Sequence, residues 1–341
     1  MSTRHILLLA VNAVLLLCLF LLQLLLGSFH IPLTEVVQIL LGGNNASGEV
    51  GRTIVMESRL PGALAAAIAG AGLAISGLQM QTMFRNPVAG PFVLGISSGA
   101  GLGVAVLILA SSALGINLQQ SWVADSGIVL FAAAGAFLIF LLNVFISYRL
   151  NDVVAILIIG LMIGSGISAF IEVLQSFAAG AALKNYVIWT FGSFRYVNAH
   201  QVWWLAGLVA IASVLSWFLS KPLNLLLLGD TYAQSSGLEV KRAKLGIVLC
   251  TSLLAGSVTA FCGPIGFVGL AVPHIARALF NTADHRLLTP AGALIGAVIC
   301  SACNLLATLP GTEFNLPVNA VTSLIGAPFV IWIILKQKGR A

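Results

Sequence analysis

Apolar residues run along this chain in long blocks separated by short polar breaks. The blocks cover roughly residues 6–26, 60–83, 93–110, 124–147, 153–178, 202–220, 244–262, 265–280, 288–308 and 318–335. A helix that crosses a bilayer needs about 20 mostly apolar residues. The pattern therefore predicts an all-α membrane protein with about ten transmembrane helices. The eighth block is short and carries Pro273, which predicts a kink or partial unwinding there. The first block follows Arg4 and His5, as in a signal peptide. Its apolar run is too long for one, and no A-x-A site follows at Gly27-Ser28-Phe29-His30, so a retained helix is the favoured reading.

Composition agrees with the blocks. Of 341 residues, 59% are hydrophobic and 8% charged, where a soluble domain carries about 25% charged residues. The formal net charge of +6 comes from cations scattered at block ends, which suits membrane anchoring rather than nucleic acid. With the N-terminus placed in the cytoplasm and the helices alternating, twelve cations fall inside and four outside. The four are Arg52, Arg59, Lys184 and Arg195. This bias predicts that both termini are cytoplasmic. The polar stretches 27–58, 179–201 and 221–243 leave no room for a further module, so the expectation is a single transmembrane domain over 1–341.

Several chemistries are missing. No G-x-x-x-x-G-K-[ST] loop cradles a nucleotide, and the five histidines show no paired ligand spacing. Cys300 and Cys303 lie in an apolar helix with no second pair, which reads as core rather than metal. Of ten acidic residues only Glu172 falls inside a block, the others lying at block ends or in loops; it is about 30 Å along its helix from Asp152 and so near the outer surface. Two readings of Glu172 stand, an interfacial carboxylate and a pathway-lining group. A midplane proton relay is not supported. Uphill transport by such a chain requires energy from a partner on the inner face.

Small residues predict how the helices pack. Gly62, Ala66, Gly70 and Ala74 recur every four residues, as do Gly95, Gly99 and Gly103, then Gly160 and Gly164, then Gly292 and Gly296. Such stripes let backbones approach where lipid supplies no hydrophobic drive. Arg85 to Pro91 reads as a corner on the inner side, with Pro91 opening the next helix.

The longest inner stretch, Leu223–Lys244, is half apolar. Asp230 is placed to N-cap a short helix that Gly237 ends at positive φ. Such a helix suits another protein's groove. A plain interfacial helix with Lys241, Arg242 and Lys244 facing lipid is the alternative.

The stretch "RLPGALAAAIAGAGLAISGLQMQTMFRNPVAGPFVLGISSGAG" (Arg59–Gly101) resembles the permease family of ABC importers for iron-siderophores, haem and vitamin B12. "LLLGDTYAQSSGL" (226–238), "CGPIGFVGLAVPHIARALF" (262–280), "DHRLLTPAGALIGA" (284–297) and "LPVNAVTSLIGAPFVIWII" (316–334) match it in the same order. The resemblance implies a multi-pass subunit of a bacterial inner membrane. It would pair with a second permease, most simply a copy of itself, with two cytoplasmic ATPase subunits and with an extracytoplasmic binding protein. ATP and Mg would be used by the ATPase. The chain itself would be non-catalytic, with no cofactor or metal of its own, and membrane lipid would be its surroundings. Iron complexes, the commonest cargo of the family, are the expected solute; corrinoid, haem and oxyanion are alternatives.

The resemblance also implies residue roles. Coupling to the ATPase falls on Leu228, Gly229, Asp230, Ala233, Gly237 and Leu238. The fifth and tenth helices flank the pathway at the dimer interface, which implicates Gly160, Gly164, Glu172 and Asn319. The binding protein presents acids to outer cations, here Arg52, Arg59, Lys184 and Arg195. One departure stands out: Asn304, Thr308 and Asn315 occupy places where the family carries charges. A stand-alone secondary transporter is the competing class, and a membrane-embedded enzyme a distant third. "AGPFVLG" (89–95) and "CGPIGFVGL" (262–270) echo one another from opposite sides, as an inverted repeat would.

Overall fold

The computed structural model describes residues 2–27, 31–43, 48–111, 123–150, 152–308 and 315–338, with backbone alone for 123–125, 153 and 332–338. Every regular element among them is helical. We number the α-helices α1 (Thr3–Leu25), α2 (Leu33–Leu40), α3 (Gly48–Thr53), α4 (Leu60–Met83), α5 (Ile96–Ala105), α6 (Val123–Arg149), α7 (Val153–Phe177) and α8 (Gly180–Thr190). They continue as α9 (Ala199–Phe218), α10 (Ser220–Leu227), α11 (Asp230–Ser235), α12 (Val240–Cys262), α13 (Val268–Phe280), α14 (His285–Ala307) and α15 (Val318–Lys338). Among the described residues seven helical stretches are long and apolar enough to cross a membrane, and three shorter apolar ones lie at Ile96–Ala110, Val268–Phe280 and Val318–Ile331. These ten coincide with the ten apolar blocks.

The bundle is built around α4. Its apolar surface is buried on all sides, against α14, α12, α13, α9 and α1. Its many glycines and alanines make this possible. A Cβ on Gly70 would stand 2.1 Å from the Gly296 carbonyl oxygen, and one on Gly77 only 1.6 Å from that of Gly269. α5 and α6 meet the same way: a Cβ on Gly103 would lie 1.9 Å from the Phe131 oxygen. The predicted stripes are thus real contact faces, except that Gly292 has open space around its missing Cβ. Buried hydrogen bonds tie the helices further. Gln79 on α4 donates to Ser216 on α9 and accepts from Thr251 on α12, and Asn143 on α6 donates to Leu94.

α1 packs on α14, with Arg4 and His5 bonded to the carbonyls of Leu279 and Phe280, so it is an integral part of the bundle. The break at the eighth block lies ahead of Pro273. Residues 263–267 are unwound, with Gly263 at φ 73° and Phe267 at φ 65°, and α13 then runs on through Pro273. The expectation for Pro91 is corrected too: it opens a 3₁₀ turn, Pro91–Leu94, and α5 begins only after Gly95 at φ 69°. The helix pairings of α4–α7 recur among α12–α15. α4 packs on α14 as α12 packs on α6, α5 on α6 as α13 on α14, and α5 on α7 as α13 on α15.

Candidate functional site

The two ends of α4, about 36 Å apart at 1.5 Å per residue, define two faces. At its C-terminal end Arg85 turns the chain at φ 46°. Beside that corner lie α10, α11 and the α13–α14 connection, and also Arg4 and His5. The N-terminal helix therefore starts on the same face as the 221–243 segment.

α11 is a single short helix set between two glycines, Gly229 at φ 107° and Gly237 at φ 83°. Both angles suit glycine. Ala233 is fully buried against the bundle, while Leu228 and Tyr232 are exposed. The Leu238 amide donates to the Ala233 carbonyl and closes the turn. The expected cap is corrected: Gly229 occupies the N-cap position and Asp230 is the first helical residue. The Asp230 carboxylate instead bridges two elements. Arg85 reaches it at 3.1 Å from the α4 corner, and Lys244 at 2.5 Å from α12. Lys244 is almost wholly buried by this pairing, so it does not face lipid. Arg242 pairs with Glu239 at 2.7 Å, and the Lys241 ammonium sits 4.4 Å from the Tyr148 ring centre.

α10 is tied down by a second cluster that sequence inspection missed. Asn224 accepts from both the backbone N–H and Nδ1 of His285, and its amide donates to Asp284 at 2.6 Å. His285 Nε2 lies 2.8 Å from the Thr82 hydroxyl on α4. The Arg286 backbone N–H and then the Asn224 amide hold the Asp284 carboxyl below the usual carboxylate range. Beside them Arg277 donates to Gln81 at 2.6 Å. The α10–α11 segment is thus held to α4, α12 and α14 by directional polar contacts in addition to the burial of Leu223, Leu226 and Ala233. No local spacing signals these partners, because Asp230 and Arg85 are 145 residues apart.

The opposite face carries the four cations. Arg52 on α3, Lys184 on α8 and Arg195 are exposed. Arg59 is half-buried and donates to the carbonyls of Leu24 and Leu25 at 2.7 and 3.0 Å, capping the C-terminus of α1. Its donors are therefore engaged within the chain. A cavity of about 130 Å³ beside it is lined by Gln23, Ser58, Arg59, Arg195, Asn304 and Thr308. Asn304 donates to Gln23 at 2.6 Å, and Arg195 donates to Asn315. All three neutral departures from the family pattern thus gather at one place.

On α7, Gly160 and Gly164 lie against Val93, Gly95 and Ser98 of the same chain. Next to them runs an exposed strip of Leu161, Ser165, Ser168 and Glu172, spaced along one line of the helix. The Ser165 and Ser168 hydroxyls donate to the Leu161 and Gly164 carbonyls of their own helix, and both readings of Glu172 stand. Asn319 on α15 accepts from the Gly266 amide at 2.9 Å and so braces the unwound 263–267 segment.

Residues 15–336 match the FecCD transport family. The chain is 35% identical over 292 residues to the vitamin B12 import system permease protein BtuC of Klebsiella pneumoniae, covering 85% of each chain. It is 36% identical over 289 residues to BtuC of Salmonella paratyphi A, covering 84% of this chain and 85% of the relative. Among solved structures it aligns with a metal-chelate type ABC transporter in an inward-facing conformation. The TM-score is 0.81 at 26% identity, over 97% of this chain and 99% of the other. PsaBC from Streptococcus pneumoniae shares the fold at a TM-score of 0.51 and 18% identity, over 80% of this chain and 89% of that one.

Proposed function

The chain belongs to the FecCD transport family, and from that premise we propose that it carries a metal chelate inward, driven by ATP that partner subunits hydrolyse. It is an ABC importer permease, a multi-pass protein of the inner membrane. Two cytoplasmic ATPase subunits, using ATP and Mg, dock on the α10–α11 face. A binding protein docks on the opposite face through Arg52, Lys184 and Arg195. Both termini are cytoplasmic, and a second copy of the chain completes the pathway along the Ser165–Glu172 strip. One observation carries the coupling role: α11 is fastened at Asp230 to both the α4 corner and α12. A push on that short helix therefore reaches the central helix directly.

The cargo is proposed at the level of the chelate. The relatives are named for vitamin B12 and the aligned structure for a metal chelate. Neither singles out a ferric siderophore, the cargo expected from sequence, so corrinoid and ferric siderophore stand as the two members to be separated. The test is ATP hydrolysis by the reconstituted complex with its binding protein, challenged with a corrinoid, a ferric siderophore, haem and a metal-free oxyanion. Stimulation of at least several-fold by one metal chelate is expected. Stimulation by a metal-free oxyanion alone refutes the chelate reading.

A further inference from the structure

Two cavities lie along one seam between α6 and α12. Midway along the helices is an apolar groove of about 620 Å³, whose walls include Ala134, Phe137 and Phe140 of α6, Leu215 of α9, and Leu249 and Leu253 of α12. That size is within the range of ligand clefts, about 300–1,000 Å³. At the α10–α11 end is a cavity of about 340 Å³, where Leu150 and Val240 line the wall together with Ser147, Asp230, Gln234, Lys241 and Lys244. Five cations, Arg85, Arg149, Lys241, Arg242 and Lys244, stand at this end beside the carboxylates of Asp230 and Glu239, and Glu239 is taken up by Arg242. Asp230 is already neutralised by Arg85 and Lys244. Lys241 and Arg149 have no carboxylate partner among the described residues. Both instead lie over aromatic rings on the outward side of α6. The Lys241 ammonium is 4.4 Å from the centre of the Tyr148 ring, and the Arg149 guanidinium 5.2 Å from that of Phe145. Those rings are 64% and 57% exposed in a segment whose solvent is lipid.

Positive charge at the membrane surface, above a dry groove leading inward, has the polarity of a phospholipid. The dimensions agree. Leu249 is eight residues from Lys241, about 12 Å along the helix, and one leaflet's hydrocarbon is about 15 Å deep. A chain hanging from a headgroup at Lys241 therefore enters the near half of the groove. There it touches three helices instead of the single convex surface that ordinary annular lipid meets.

We propose that this seam is a binding site for one acidic phospholipid, with its headgroup phosphate on Lys241 and Arg149 and one acyl chain in the α6–α9–α12 groove. The bound headgroup shares a cavity with Asp230 and Gln234 of α11, which places an acidic lipid in contact with the α10–α11 segment. The site depends on the chain's being a membrane protein and not on what the chain transports.

The test is native mass spectrometry of the full-length permease, delipidated in detergent and titrated with phosphatidylglycerol or phosphatidylcholine. The parent protein is expected to retain one phosphatidylglycerol selectively and to melt at a higher temperature with it than with phosphatidylcholine. Near-surface cations contribute about 1 kcal/mol each to acidic-lipid binding, so the double variant Lys241→Gln/Arg149→Gln should bind phosphatidylglycerol about 30-fold more weakly. Ala134→Trp, which fills the groove from an exposed position, should lose retention while its lipid-free melting temperature stays put. Equal retention of the two lipids overturns the proposal, as does a double variant that holds phosphatidylglycerol like the parent. If inorganic phosphate displaces the lipid at equal concentration, the site is a free-anion site and the proposal also falls.

Discussion

Gly237→Val isolates the coupling segment with little disturbance elsewhere. Gly237 sits at φ 83°, and a Cβ built there meets no heavy atom within 4 Å. Space is therefore no obstacle, and the cost is one of backbone conformation. An L-residue held left-handed costs about 1–2 kcal/mol, and a β-branched one lies at the top of that range. Only a six-residue helix absorbs this strain, and a helix that short has little stability of its own. A strain of about 2 kcal/mol shifts the ordered α11 towards disorder by roughly 30-fold. Asparagine tolerates this region and alanine less so, which predicts coupling in the order Gly, Asn, Ala, Val. The assay is cargo-stimulated ATP hydrolysis and uptake in proteoliposomes holding all subunits, with binding-protein affinity as the control. Val should lose hydrolysis stimulation and uptake together while keeping affinity. Normal coupling in the Val variant would falsify the assignment of α11 as the transmission element.

Four further outcomes are expected. Asp230→Ala leaves the buried Lys244 without its counter-charge, so coupling should fall as far as in Gly237→Val. The local loss is about 2 kcal/mol, between an exposed pair and a fully buried one; the substituted complex keeping full uptake contradicts the bridge. Gly99→Leu should abolish detergent-stable protein and Leu102→Ala should not, because a Cβ on Gly99 would stand 2.4 Å from Ile139 and 2.6 Å from the Gly135 carbonyl oxygen; equal yields and melting temperatures refute the contact. Single cysteines at Asn198 and Ser235, in a Cys-free background, should react with an impermeant thiol reagent only at 198 in outer-permeabilised cells, and labelling at 235 inverts the topology. Replacing Arg52, Lys184 and Arg195 by Gln should weaken binding-protein association most at low salt, whereas Arg59→Gln should lower the melting temperature by uncapping α1; unchanged affinity in the triple variant shows that docking uses other contacts.

What the chain reveals before folding is its relation to lipid. Ten apolar blocks foretell the ten apolar helices, and four-residue glycine spacing foretells the contacts of Gly70 with Gly296 and of Gly103 with Phe131. Periodicity reports which side of a helix is small or polar, however, and not what meets it. Lys244 reads as a lipid-facing cation until Asp230 comes within 2.5 Å. Arg59 reads as a free docking cation until the end of α1 lies under it. Sequence alone points to Pro273 for the break in the eighth block, because proline is the visible helix breaker. The actual break falls at Gly263–Phe267, where Asn319 from the last helix holds an unwound backbone. The Asn224–His285–Thr82 cluster draws on three separate segments and leaves no local trace.

The most direct measurement concerns the source of energy. Proteoliposomes containing the permease, its ATPase and the binding protein are loaded with ATP and Mg or left empty, with or without imposed proton and sodium gradients. Chelate uptake should require internal ATP, should continue when ionophores collapse both gradients, and should stop when the ATPase is omitted. Uptake driven by an ion gradient with no ATPase present would contradict an energy supply through the α10–α11 face and make the chain a secondary transporter.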